Sequence, residues 1–166
     1  NQRDRDLFEL FTDILGQSAT NQYLTEFRVY RDSNAQYDAF VETNNGVDWI
    51  FAVNTAFVNL EDDEAIANAT LLFVHEYAHI IEFYEQDLIA QFENQFWQDG
   101  GSNRESDYVS EYAELDVKED FAETFAHFVL FNRLDWSDDA LLKLNFFYFN
   151  SRMRALRDEI RTRLDL

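Results

Sequence analysis

The chain contains no cysteine, no proline, four glycines and one methionine in 166 residues. Without cysteine there is no disulfide framework and no thiolate, so any transition metal must be held by imidazole and carboxylate. The missing proline and scarce glycine leave little material for linkers, and neither an internal repeat nor a low-complexity tract is visible. Nor does the chain contain a run of about eighteen apolar residues, the length a membrane-spanning helix needs, so membrane insertion is not expected. Lysine occurs twice, whereas Asp and Glu together number 33 against 13 Lys and Arg, a formal charge of -20. A surface field of that sign repels phosphates and anionic lipid, which argues against nucleic acid as a partner.

What is present suffices for one core. With 46% hydrophobic and 17% aromatic residues, the composition predicts a single domain over residues 1–166, arranged as an upper lobe at about 1–86 and a lower helical lobe at about 87–166. The polar opening "NQRDRDLFEL", without an initiator methionine, predicts a processed protein that is secreted or lies in the cell envelope.

Apolar residues Leu7, Leu10, Phe11 and Ile14 follow a helical period, and Gly16 is a candidate stop. "YLTEFRVY" (23–30) and "VDWIFAVNTAFV" (47–58) are rich in aromatic and β-branched residues and predict strands of a small, mostly antiparallel sheet, with "TNNG" as a turn; "NAQYDAFVET" between them fits helix or irregular structure. "EDDEAIANATLLFVHEYAHIIEFYEQ" (61–86) starts with acids that suit the positive end of a helix and continues for about six turns, apolar almost all round. Another helix is expected over "DLIAQFENQFWQ", ending before Gly100 and Gly101, followed by a loop with short helical turns over "SNRESDYVSEYAEL". "DVKEDFAETFAHFVLFNR" restarts a helix, with Asp116 as N-cap and Glu119 at capping-box spacing. "SDDALLKLNFFYFNSRMRALRDEIRTRL" reads as one or two closing helices. The fold class is α+β, dominated by helix.

The chemistry concentrates at "HEYAH". Residues four apart on a helix are offset by about 40° around the axis and one turn along it, so His75 and His79 can grip one ion at about 2.0–2.1 Å. Glu76, about 100° round from His75, is badly placed as a ligand but well placed to reach a water beside the metal, as a general base would. A catalytic zinc needs a third protein ligand and an open position. Glu119 and Glu123 stand one turn apart on a predicted helix, a like-charge pair that costs a few tenths of a kcal/mol and that a cation would relieve. With Glu119 on zinc, Glu123 could accept the N–H of a zinc-bound histidine. His127, the remaining histidine, is an alternative ligand, although a single His on an aromatic-rich helix more often satisfies a core hydrogen bond.

With these motifs the sequence resembles the glutamate-zincin (gluzincin) metallopeptidases, above all the type represented by the anthrax lethal factor catalytic domain and the secreted Pro-Pro endopeptidases. That type carries HExxH and, a few dozen residues on, a tyrosine, six intervening residues, and a glutamate opening an "ExxAE" helix. Here "YAELDVKEDFAETF" puts Tyr112 seven positions before Glu119, with Ala122, Glu123 and Phe125 matching the remainder. The likeness is firm over residues 72–128 and only architectural elsewhere, so cleavage specificity does not carry over.

The resemblance implies a zincin-like fold, Zn2+ held by His75, His79 and Glu119, Glu76 as general base, Glu123 as acceptor behind a ligand, and Tyr112 as donor to the oxyanion, with Tyr108 the substitute if the loop register differs. It implies hydrolysis of a peptide or protein substrate, with the strand before the active helix forming the edge over the cleft. The rival readings are a zincin-fold interaction module that binds zinc without turnover and a metal-sequestering protein. A purely structural zinc site would need neither Glu76 nor a correctly spaced Tyr112.

Overall fold

A computed structural model describes residues 1–102, 104–132 and 138–166. The chain divides into two compact units, residues 1–76 and 77–166. The division falls inside one uninterrupted helix, α2 (Asp63–Tyr84).

The first unit opens with α1 (Gln2–Tyr23). The expected stop at Gly16 is a kink: Gly16 has φ 70° and ψ 158°, a conformation open to glycine, after which helical backbone resumes. Three strands follow, β1 (Leu24–Tyr30), β2 (Ala39–Thr43) and β3 (Trp49–Asn54), in the order β1-β3-β2. β2 arises from the segment whose sequence fitted helix or irregular structure. Its partner across the turn containing Gly46 is β3, with Thr43 opposite Trp49 and Ala39 opposite Val53.

The sheet is mixed rather than mostly antiparallel. Only the β2–β3 hairpin is antiparallel; β1 docks on the other side of β3 and runs parallel to it, pairing Phe27 with Phe51 and Tyr30 with Asn54. β3 is therefore the central strand and not an edge. Its near-continuous burial from Trp49 to Asn54 is what a strand flanked on both sides displays. The core of this unit is aromatic, with Phe11 packed 4.7 Å from Phe27, 4.8 Å from Phe51 and 6.1 Å from Phe73, centroid to centroid. Arg3 donates to the carbonyls of Thr55 (2.9 Å) and Val58 (2.7 Å), tying α1 to the segment after β3.

α2 begins as its acids suggest: Asp62 Oδ1 accepts from the Ala65 amide at 2.8 Å, and Asp63 and Glu64 occupy the first turn. Apart from Ala69, burial is concentrated in the later part of the helix, from Phe73 to Glu82, whereas the first turns are largely exposed.

The second unit contains α3 (Gln86–Phe96), two short 3-10 turns at Glu105–Asp107 and Tyr112–Glu114, α4 (Val117–Leu130), α5 (Asp138–Phe149) and α6 (Ser151–Arg163). The closing segment is thus two helices, separated at Asn150, whose side chain accepts from the amides of Arg152 and Met153 at 3.0 and 3.1 Å. Of the segments read from sequence, Asn103, Arg133 and Ser137 lie outside the described residues. At Gly101, φ is 87°, and a Cβ would lie 2.7 Å from the Tyr108 hydroxyl and 2.9 Å from the Trp97 ring, so the chain passes too close there for a side chain. Phe92, Phe121, Phe125, Phe128 and Phe147 form the core, with Phe147 5.1 to 6.1 Å from the other four rings.

One charged pair is enclosed with these rings. Lys143 Nζ and Trp97 Nε1 each donate to Asp120 Oδ2 at 2.7 Å, and Thr124 Oγ1 donates to Oδ1 at 3.1 Å. The ammonium also sits 3.6 Å from the centre of the Tyr108 ring. Burial pushes the Asp120 carboxyl above, and the Lys143 amine below, their ordinary values, while their mutual attraction opposes both shifts. Among the described residues, no helix is long and apolar enough to cross a membrane.

Removing one partner of this pair strands the other charge in the core. Asp120→Ala is expected to cost about 3–5 kcal/mol in denaturant unfolding, whereas replacing Asp120 and Lys143 together by Leu and Met should recover most of the loss.

Candidate metal centre

Two helices supply the site. On α2, the apolar residues Phe73, Val74, Tyr77, Ala78, Ile80 and Ile81 are buried, and they carry His75, Glu76 and Glu82 inside with them. A polar side chain taken out of water must recover its lost hydration through partners, so this stretch is chemically loaded. On α4, Asp116 is the predicted N-cap: its Oδ1 accepts from the amides of Lys118 (2.8 Å) and Glu119 (3.1 Å). That closed turn sets Glu119 at the third helical position, near the positive end of the helix.

His75, His79 and Glu119 come together. One ligand atom from each lies within 4.8 Å of the others, a group able to hold a metal ion. His79 Nε2 is 3.6 Å from Glu119 Oε2. Donors around a tetrahedral zinc at about 2.0–2.1 Å are separated by roughly 3.3 Å, so small side-chain rotations would close the set. Two neutral imidazole nitrogens and a carboxylate oxygen are also the right chemistry for a catalytic zinc. His75 is buried, while His79 and Glu119 retain 18% and 21% side-chain exposure, which leaves access for water on their side.

Glu76, the residue after His75, is buried on the same helix. Glu123 lies one turn beyond Glu119 and accepts from Ser110 Oγ at 2.6 Å. The same oxygen of Ser110 accepts from the Ala113 amide at 3.1 Å. Ser110 therefore ties the 3-10 turn bearing Tyr112 to α4, a link the sequence reading did not include. Tyr112 itself is 44% exposed. Tyr108, the proposed substitute, is engaged elsewhere: its hydroxyl donates to the Ser102 carbonyl (3.1 Å) and accepts from the Ser102 amide (2.7 Å), and burial raises its pKa above the ordinary tyrosine value. His127 follows the bland expectation. Its Nδ1 lies 2.8 Å from the Glu123 carbonyl, as a donor would, its ring stacks on Phe131 at 5.0 Å, and it is not part of the three-residue ligand group.

Glu82 is the carboxylate that sequence reasoning passed over. Its Oε2 lies 3.7 Å from His79 Nδ1, and its Oε1 lies 3.3 Å from Lys118 Nζ. A signal was available in "HIIEF": an acid three residues after a candidate ligand shares its helix face, and on a buried helix it needs a partner.

The N-cap offers a direct test of how the Glu119 turn is held. Asp116→Ala should lower stability by about 1 kcal/mol in urea unfolding, with Asp116→Asn close to the parent. Hydrogen exchange at the Lys118 and Glu119 amides should speed up in the alanine variant alone.

No protein-family profile matches the chain, and no curated protein is similar to it in sequence. Among solved structures, its fold is similar to that of a Bacteroides caccae protein whose assignment as a zinc-binding metallo-peptidase is itself provisional. The two share 17% sequence identity with a TM-score of 0.55, covering 94% of this chain and 71% of the other. At that identity the likeness speaks to the fold.

Proposed function

We propose that this protein is a zinc metallopeptidase of the zincin-like, glutamate-zincin type, hydrolysing internal bonds of a peptide or protein substrate. The observation that carries the proposal is the convergence of His75, His79 and Glu119 into one group of ligand atoms, with Glu76 next to His75 on the same helix. A fold similar to that of a protein provisionally assigned as a zinc-binding metallo-peptidase supports it, as does the spacing of Tyr112, Glu119 and Glu123 in the sequence.

Zinc held by the three ligands would lower the pKa of a water toward about 7 and polarise the scissile carbonyl. Glu76 is assigned the proton traffic: its carboxylate takes the proton of the attacking water and returns it to the leaving amine. The low-dielectric surroundings of a buried glutamate strengthen its interaction with that proton. Tyr112, on the exposed turn before α4, is assigned the hydrogen bond to the oxygen on which charge develops, a contribution of roughly 3–4 kcal/mol for a well-placed donor. Glu123 accepts the N–H of a liganding imidazole and so fixes its ring.

The proposal is tested by digesting a peptide library with and without a chelator, together with metal analysis. Glu76→Gln should retain stoichiometric zinc and fold but lose hydrolysis, while Glu119→Ala should lose most of the metal. A Glu76→Gln protein that cleaves like the parent would overturn the mechanism. Stoichiometric zinc with no cleavage by the parent would favour the non-catalytic zinc-binding module instead. Tyr112→Phe should lower kcat by one or more powers of ten, with KM little changed.

A further inference from the structure

We infer that Glu82 is a positioning residue for His79, accepting the N–H of its Nδ1 while Nε2 faces the ion; the inference rests on the zinc reading above. The His79 ring stands between two carboxylates. Nε2 is 3.6 Å from Glu119 Oε2, and Nδ1, on the other side of the ring, is 3.7 Å from Glu82 Oε2. Glu82 belongs to no metal-binding group among the described residues, and its position behind the ring explains why: it addresses the nitrogen that a metal bound at Nε2 would leave to carry hydrogen.

A neutral imidazole has one N–H and one lone pair. For Nε2 to coordinate, the hydrogen must reside on Nδ1, and a carboxylate facing Nδ1 selects that tautomer, orients the ring and makes Nε2 a stronger donor.

Glu82 is built for such a role. Its side chain is only 9% exposed, and Oε2 has no hydrogen-bond partner among the described residues. A buried carboxylate oxygen lacking a donor is costly. Moving from 3.7 Å to a hydrogen-bond length of about 2.8 Å needs a shift of roughly 1 Å, within reach of a side-chain rotation. The other oxygen is already occupied by Lys118, whose ammonium lies 3.3 Å away. Lys118 precedes Glu119, so Glu82 couples the imidazole on α2 to the turn that presents the carboxylate ligand on α4.

Two replacements of similar size separate hydrogen-bond acceptance from filling of space. Glu82→Gln retains an acceptor oxygen, and Glu82→Leu replaces the carboxylate with an apolar group that suits a buried position. Zinc affinity, read by competition with a chromophoric chelator, should fall ten- to a hundredfold in the Leu variant and stay within about threefold of the parent in the Gln variant. Nitrogen-15 NMR of the zinc-loaded parent should show His79 with a slowly exchanging hydrogen on Nδ1, a readout independent of any variant's folding. Parental affinity in the Leu variant, equal loss in the Gln and Leu variants, or a hydrogen on Nε2 in the loaded parent would each overturn the inference. If the parent binds no stoichiometric zinc, the zinc reading falls, and this inference with it.

Discussion

Asp116 closes the first turn of α4 by accepting from the Lys118 and Glu119 amides, and in doing so it decides where a carboxylate stands beside His79. The first amides of a helix have no partner within the helix; a cap that satisfies them also stops the turn from fraying, and Glu119 is part of that turn. The far end of the helix is secured in a complementary way. Arg157 donates to the Phe128 carbonyl at 2.7 Å, and Arg161 donates to those of Val129 and Leu130 at 3.1 Å, so cations from α6 meet the negative end of α4. A carboxylate carried on a helix held at both termini has little room to wander, which is what a candidate ion site would need to keep its geometry to within a few tenths of an ångström.

α2 makes the complementary contribution. From Phe73 to Glu82 it is buried except at His79, so its polar groups are screened from bulk water while one imidazole keeps a route to it. Burial of this kind destabilises a helix unless the polar groups find compensation. His79 faces a carboxylate from each of its ring nitrogens. Such an arrangement is a poor way to build a core and a good way to hold an imidazole ready for a cation.

The parts of the fold legible in the sequence were those governed by local chemistry. The acidic start of α2, the Asp116 cap and the shared face of His75 and His79 follow from helical geometry and spacing, because i, i+4 positions and a capped first turn constrain direction in space; Glu119 as their companion was implied by the family resemblance, since no local rule brings two separate helices together. The mixed sheet was not legible. "AFVET" is too short for its period to separate strand from helix, and nothing local distinguishes a β1 that docks parallel on the far side of β3 from one in a plain meander. Glu82 was passed over for a related reason: its value depends on Lys118, thirty-six positions away in sequence, and on the His79 ring having its Nδ1 toward it. Ser110 likewise gains meaning only once the loop before α4 has folded back onto Glu123.

The scarcity of lysine acquires a physical reading in the tertiary structure. Three successive residues, Lys118, Glu119 and Asp120, leave α4 about 100° apart, and each has a distinct destination: Lys118 toward Glu82, Glu119 toward His79, and Asp120 toward Lys143 and Trp97. Both lysines of the chain are therefore engaged with carboxylates around the start of this helix. In a protein of formal charge -20, a region that gathers Glu82, Glu119 and Asp120 would otherwise repel itself. Buried Lys143 offsets the charge of Asp120 at close range, where screening is weak, whereas exposed Lys118 offers Glu82 a weaker, salt-sensitive partner. The third carboxylate, Glu119, is aimed instead at the His79 imidazole, 3.6 Å from its Nε2.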